Sequence, residues 1–270
     1  MRTAIKPRLV AFDLDGTLLG ADKILTPRVL AAISRMRSRA IEGCVVTGRM
    51  YQAALPFVRQ LHFTAPVVCY QGAAVIDPET DDVLLDTPLP NAEALELLAY
   101  AQENKLHIQL YANDRYYTQE RNPFSELYAN VSGVEPVIVP SLRAQFDTWD
   151  ATKGVIIADP GVIFSHLAPV KRLFGDRAYV TRSMPYFLEV MDAKVDKGKA
   201  LEIVANRLQI PISEVLAIGD SWNDAPLLKA AGFGVAMGSA PPELLDVADA
   251  VVADVTNDGV AEAIERFVLA

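Results

Sequence analysis

The sequence predicts an α/β protein: a parallel-sheet core made from two separated stretches of chain, with an α+β domain inserted between them. Three observations carry this. Short continuous apolar runs at 8–12 (RLVAF), 44–46 (CVV) and 215–218 (VLAI) have the composition of strands covered on both faces, as in parallel sheets. Helical patterns alternate with these runs, and successive βα units imply right-handed crossovers. Between about 86 and 186 the texture changes to hairpins and carries most of the aromatic residues. The expected organisation is therefore a core from 1–85 and 187–270, with the insert at 86–186.

The elements follow in order. The run at 8–12 ends at an Asp15-Gly16 turn. Thr26-Pro27 opens a helix, Thr26 as N-cap and Pro27 in the first turn, with Leu30, Ile33 and Met36 as its apolar stripe. A second strand at 44–46 stops at Thr47-Gly48-Arg49. A helix spans 50–61, and a third strand, 67–70, stops at Gln71-Gly72. In the insert, Asn91 caps a helix to about 105. Strands at 106–112 and 116–119 flank an Asn113-Asp114 turn. A short helix at 123–131 and strands at 136–139, 153–158 and 177–182 follow, with a helix at 162–174, and 187–191 closes the segment. The βα texture then returns: a helix at 198–208, a strand at 215–218 ending at Gly219-Asp220, a helix to 231, strands at 234–236 and 250–252, and a last helix from Gly259.

Composition limits the function. In 270 residues, 51% are hydrophobic and 22% charged, an ordinary globular balance that excludes intrinsic disorder. Asp and Glu total 34 against 25 Lys and Arg, a formal charge of -9. Such a surface suits neither nucleic acid nor an anionic membrane. A small anionic substrate in a local basic pocket is compatible with it. Cys44 and Cys69 sit in apolar runs and read as buried free thiols. The basic N-terminus is followed by an apolar run broken at Asp13, leaving no signal-peptide core, and no run of ~18 apolar residues is present. The expectation is a cytoplasmic protein, monomeric or homodimeric, with no nucleic-acid or membrane partner.

The chemistry-bearing side chains fall at one edge. Asp13, Asp15, Thr47 and Asp220 all stand at carboxyl ends of expected parallel strands, where open α/β sheets bind ligands. Asp13 and Asp15 suit either a shared metal or a nucleophile with a proton donor. The loop 219–224 (GDSWND) adds two carboxylates and an amide, hard oxygen donors appropriate to Mg²⁺. Thr47 and the N–H groups after it suit a phosphate oxygen, and Lys197 opens a helix as a positive charge for phosphate. Each feature alone also suits a polar turn, a helix cap or a solvated side chain. Their order along one sheet edge gives them joint weight.

DLDGT at 13–17, VVTGR at 45–49, KVDKGKAL at 194–201 and GDSWND at 219–224 resemble the four motifs of the haloacid dehalogenase (HAD) superfamily of phosphohydrolases. The similarity is greatest over 8–49 and 187–236. The insert resembles the cap of the Cof-like branch, subfamily IIB. The resemblance implies a Rossmann-like core with an inserted α+β cap, and a Mg²⁺-dependent phosphatase working through an aspartyl-phosphate. It implies Asp13 as nucleophile, Asp15 as acid and base, and Thr17 as a support of the first loop. Thr47, Gly48, Lys197 and Asn223 would be phosphate-binding. Asp13, Asp220, Asp224 and the backbone carbonyl of Asp15 would serve the metal. Gln71 stands where the family often has Asn, so a substrate contact there is open. Arg115, Tyr116, Tyr117, Arg143, Arg182 and Tyr186 are candidates for the cap surface that selects the leaving group.

The substrate expected is a small phosphorylated metabolite, with sugar phosphates first and a flavin or other cofactor phosphate second. Two other classes compete. A receiver-like regulator also clusters Asp, Thr and Lys around Mg²⁺, but needs only about 120 residues and no insert. A non-catalytic phosphometabolite sensor would not need the nucleophile, acid, Lys and metal residues together.

Overall fold

A computed structural model describes residues 6–270. The chain forms two compact units. One runs up to Gly48 and takes in Ala54–Leu85 and Asp196–Ala270; the other comprises Arg49–Ala53 and Asp86–Val195.

The first unit is built on five parallel strands in the order Ala250–Val251, Phe233–Ala236, Val215–Gly219, Leu9–Phe12, Glu42–Val45. Leu9–Phe12 is buried throughout, which is why all four residues are apolar. It pairs with Val215–Gly219 on one side and Glu42–Val45 on the other, so chain order reverses at its carboxyl end. That reversal opens the crevice in which such sheets place ligands. Apolar side chains of the strands and of the helix Lys197–Arg207 close one face, among them Leu9, Ala11, Val46, Leu201, Val204 and Ala217.

The helix Pro27–Ser38 starts where capping predicts, with the Thr26 hydroxyl accepting from Val29 N at 3.2 Å. Its buried stripe is Val29, Ala32, Ile33 and Met36, while Leu30 is only half-buried. The third strand, Val67–Cys69, meets the sheet through a parallel bridge from Val68 to Val46. It also begins a separate three-stranded sheet with Ala74–Ile76 and Val83–Asp86. Strands this short, one opening on alanine, show little periodicity in the sequence.

The second unit has a six-stranded sheet in the order Ala178–Met184, Phe187–Asp192, Lys153–Ile157, His107–Ala112, Arg115–Thr118, Val137–Ile138. Pairing is antiparallel except between the last two strands. The boundary expected at 186 shifts: Phe187–Asp192 bonds to Ala178–Met184 and Lys153–Ile157, and so belongs to this sheet rather than to the core. One face carries Leu110, Ile156, Leu188 and Val190, packed with Leu97 and Leu98 of the helix Asn91–Glu103 and Ile163 and Val170 of Pro160–Phe174. Period-two alternation sends Tyr116 and Tyr117 to opposite faces. Tyr117 lies in this apolar core against Phe146 and Trp149, and Tyr116 is buried with its hydroxyl donating to the Val134 carbonyl. Both are therefore structural side chains of this unit, while Arg115, Arg143 and Tyr186 are exposed.

Among the described residues, no helix is long and apolar enough to cross a membrane. Leu110 tests the assignment of faces. Leu110→Ala leaves a cavity under both helices and costs about 2–5 kcal/mol, read as a lower urea midpoint with an unchanged m-value.

Candidate active site

Strand ends and one helix start supply the site. Asp13 follows the buried Leu9–Phe12 strand, its N–H donating to the Ile218 carbonyl at 3.0 Å. The chain then turns through Gly16, at φ +88°, whose N–H donates to the Leu19 carbonyl. A Cβ built on Gly16 would lie 2.2 Å from Asp220 Oδ2, so only glycine lets this turn approach the carboxylate. Thr17 is buried and donates its hydroxyl to Asp220 Oδ1 at 3.0 Å. Lys197 is placed by a cap: the Asp196 carboxylate accepts from Gly198 N and Lys199 N at 2.7 and 3.1 Å, starting the helix at Lys197.

The Lys197 ammonium donates to Asp13 Oδ1 at 2.7 Å and to Asp224 Oδ1 at 2.6 Å, with all three side chains buried. The other Asp224 oxygen accepts from the N–H groups of Asp220 and Ser221 at 3.0 and 3.1 Å, which closes the loop on itself. Carboxylate oxygens of Asp13, Asp220 and Asp224 lie within 4.8 Å of one another. The carboxylate of Asp15, half-buried at the turn, is outside that group. Thr47 and Gly48 follow the neighbouring strand, with Thr47 buried and its N–H bonded to the Val68 carbonyl. Asn223 donates from Nδ2 to Gln71 Oε1 at 2.9 Å, a contact that sequence reasoning missed because only the fold joins residues this distant in the chain.

Burial, with the Asp224 and Asp220 carboxylates, pushes the Asp13 carboxyl well above its ordinary range against the pull of Lys197. Burial and Asp224 likewise push Asp220 up to about 7, opposed by the Thr17 hydrogen bond. For Lys197, burial disfavours the charge, but Asp13 and Asp224 outweigh it and hold the ammonium protonated above its ordinary value. Three hard oxygen donors at this separation, two of them reluctant to ionise together, fit a divalent cation.

The model of the haloacid dehalogenase-like hydrolase family matches residues 10–264, and the chain belongs to that family as a phosphatase of its Cof-like branch. It is 28% identical to the 5-amino-6-(5-phospho-D-ribitylamino)uracil phosphatase of Bacillus subtilis, over 97% of this chain and 98% of that one. It is 28% identical to the pyridoxal phosphate phosphatase of Escherichia coli, over 94% and 96% respectively. A HAD/COF-like hydrolase from Plasmodium vivax shares the fold, with a TM-score of 0.88 at 20% identity, covering 97% of this chain and 95% of that one.

Two outcomes follow from this geometry. Between the ordinary Asp value of 3.8 and about 7, the folded protein retains a proton at Asp220 that the unfolded chain releases. Stability from this group therefore falls as pH rises through that window. Thermal melts of chelator-treated protein from pH 4.5 to 8 show that decline. It is shallower in Asp220→Asn, and a divalent cation raises Tm more at pH 8 than at pH 5. Gly16→Ala displaces Asp220 and weakens divalent-cation binding about 10–100-fold by calorimetry, the range for disturbing the shell around a metal site.

Proposed function

We propose that this phosphatase is a Mg²⁺-dependent phosphomonoesterase for small phosphorylated metabolites, sugar phosphates foremost, working through a phosphorylated Asp13. The observation that carries this reading is Lys197, buried and bonded at 2.7 and 2.6 Å to Asp13 and Asp224 beside the Asp220 carboxylate. An ammonium and a cation site together are what a phosphoryl group needs to approach an anionic nucleophile.

In the first half-reaction an Asp13 carboxylate oxygen bonds to phosphorus as the ester P–O bond breaks, and Asp15 gives its proton to the departing alkoxide. In the second, a water oxygen bonds to phosphorus, Asp15 takes the water's proton, and the bond from Asp13 to phosphorus breaks, releasing inorganic phosphate. Thr47, the N–H of Gly48 and the Asn223 amide bind phosphoryl oxygens. Lys197 pairs with the transferring group and holds the Asp13 carboxylate in place. Asp13, Asp220 and Asp224, with the Asp15 carbonyl, would hold Mg²⁺, which would supply positive charge that offsets phosphoryl repulsion and would let the buried carboxylates ionise.

A second substrate reading, a cofactor phosphate, is favoured by the relatives from Bacillus subtilis and Escherichia coli, which are named for a phosphoribitylamino-uracil and for pyridoxal phosphate. Both readings share the chemistry and differ only in the alcohol released. A panel of sugar phosphates, ribityl phosphates and pyridoxal phosphate assayed with Mg²⁺ separates them by kcat/KM. Steady turnover also separates a phosphatase from a phosphate sensor.

Asp13→Asn removes the nucleophile, and kcat falls at least ~10⁴-fold while the circular-dichroism spectrum is unchanged. Unaltered turnover overturns the role of Asp13. Asp15→Asn lowers kcat ~10²–10⁴-fold, the usual contribution of a proton donor, without changing Mg²⁺ affinity.

A further inference from the structure

Three successive residues after the Val67–Cys69 strand are left-handed: Tyr70 at φ +52°, Gln71 at +61° and Gly72 at +103°. Non-glycine residues adopt this conformation seldom, and pairs of them cluster where function over-determines the backbone. The run aims a long amide inward, since Gln71 is 1% exposed. Its two ends touch different parts of the site. Gln71 Oε1 accepts from Asn223 Nδ2 at 2.9 Å. A Cβ placed on Gly48 would fall 2.4 Å from Gln71 Nε2, so the same amide packs directly on the turn that follows Thr47. The Gln71 N–H donates to the Thr47 carbonyl at 3.0 Å, tying the backbone of the two loops as well. A Cβ on Gly72 would meet the Asp196 carbonyl at 2.6 Å, which brings the run against the start of the Lys197 helix.

Asn223 carries the second observation. It is 7% exposed, and its Oδ1 is buried with no hydrogen-bond partner among the described residues. A buried acceptor of this kind is costly unless the site it faces supplies a partner. That partner must be a donor such as water, since Oδ1 only accepts; toward a phosphoryl oxygen Asn223 offers the second N–H of Nδ2, whose first N–H is held by Gln71 Oε1.

We propose that Gln71 is a positioning residue: its side-chain amide spans from Gly48 to Asn223 and fixes the Asn223 amide for phosphoryl binding. This rests on the reading of Asn223 and Gly48 as phosphate-binding residues. Glutamine is required by length, because the shorter asparagine in the same backbone cannot make both contacts. It is also required by chemistry, because the Asn223 N–H needs a side-chain acceptor at this position.

The test is a double-mutant cycle on Gln71 and Asn223, read as the dissociation constant for orthovanadate with Mg²⁺ and as kcat/KM for a turned-over phosphate ester. Gln71→Asn and Gln71→Met each weaken orthovanadate binding about 10-fold, the scale of one lost buried hydrogen bond. Either change costs nothing further in an Asn223→Ala background, so the effects are non-additive. Gln71→Asn discriminates most sharply, since asparagine tolerates the left-handed backbone better: its Tm holds or rises while orthovanadate binding falls. Additive effects, or unchanged binding in both Gln71 variants, overturn the proposal. Wild-type protein that binds orthovanadate with the expected coupling but never turns over overturns the phosphatase reading and leaves the positioning role standing. Protein that neither binds orthovanadate nor turns over overturns both.

Discussion

Everything at the catalytic edge depends on the charge balance around the Lys197 ammonium. Asp13, Asp220 and Asp224 bring carboxylate oxygens within 4.8 Å of one another. At an effective dielectric of 20, each ionised pair at that distance repels by about 3–4 kcal/mol. One ammonium bonded to two of the three offsets part of this, while burial first and the remaining repulsion second push the Asp13 and Asp220 carboxyls up. With all three ionised and Lys197 charged, the cluster carries two surplus negative charges, the number a divalent cation neutralises. The apparent paradox of an acidic protein that handles phosphate dissolves here, because the sign of the potential is set locally and not by the net charge of -9.

The scaffold meets that constraint by using backbone to hold the carboxylates. Asp224 accepts from two N–H groups of its own loop, Asp196 spends its carboxylate on capping a helix, and Gly16 gives up a side chain so that Asp220 can approach. None of these groups touches phosphate in the proposed mechanism. They settle where the groups that do touch it must stand, which is the larger part of preorganisation.

Much of this was legible in the sequence because chemistry and punctuation coincide there. Asp13, Thr47 and Asp220 each end an apolar run, so the strand pattern alone assigns them to one edge of a parallel sheet. Lys197 was legible because it opens an expected helix within KVDKGKAL, whereas the Asp196 cap that fixes where that helix starts was not read from the sequence. The Gln71–Asn223 contact was not, since no local pattern links residues so distant in the chain. Neither was the allegiance of Phe187–Asp192: an alternating apolar strand looks the same whichever sheet it joins, and only its hydrogen-bond partners assign it. Tyr116 and Tyr117 show the opposite limit. Adjacent aromatics invite a shared surface role, yet the pleat separates them.

The central position of Leu9–Phe12 has a bearing on how the protein is made. One neighbour, Glu42–Val45, follows closely; the other, Val215–Gly219, is encoded far downstream. At ribosomal rates of about 5–20 residues per second, the strand's second edge waits on the order of ten to thirty seconds for its partner. The strands of the six-stranded sheet are all encoded between His107 and Asp192, so that sheet has its full complement first. During synthesis that apolar edge therefore has no strand partner until the downstream segment is made.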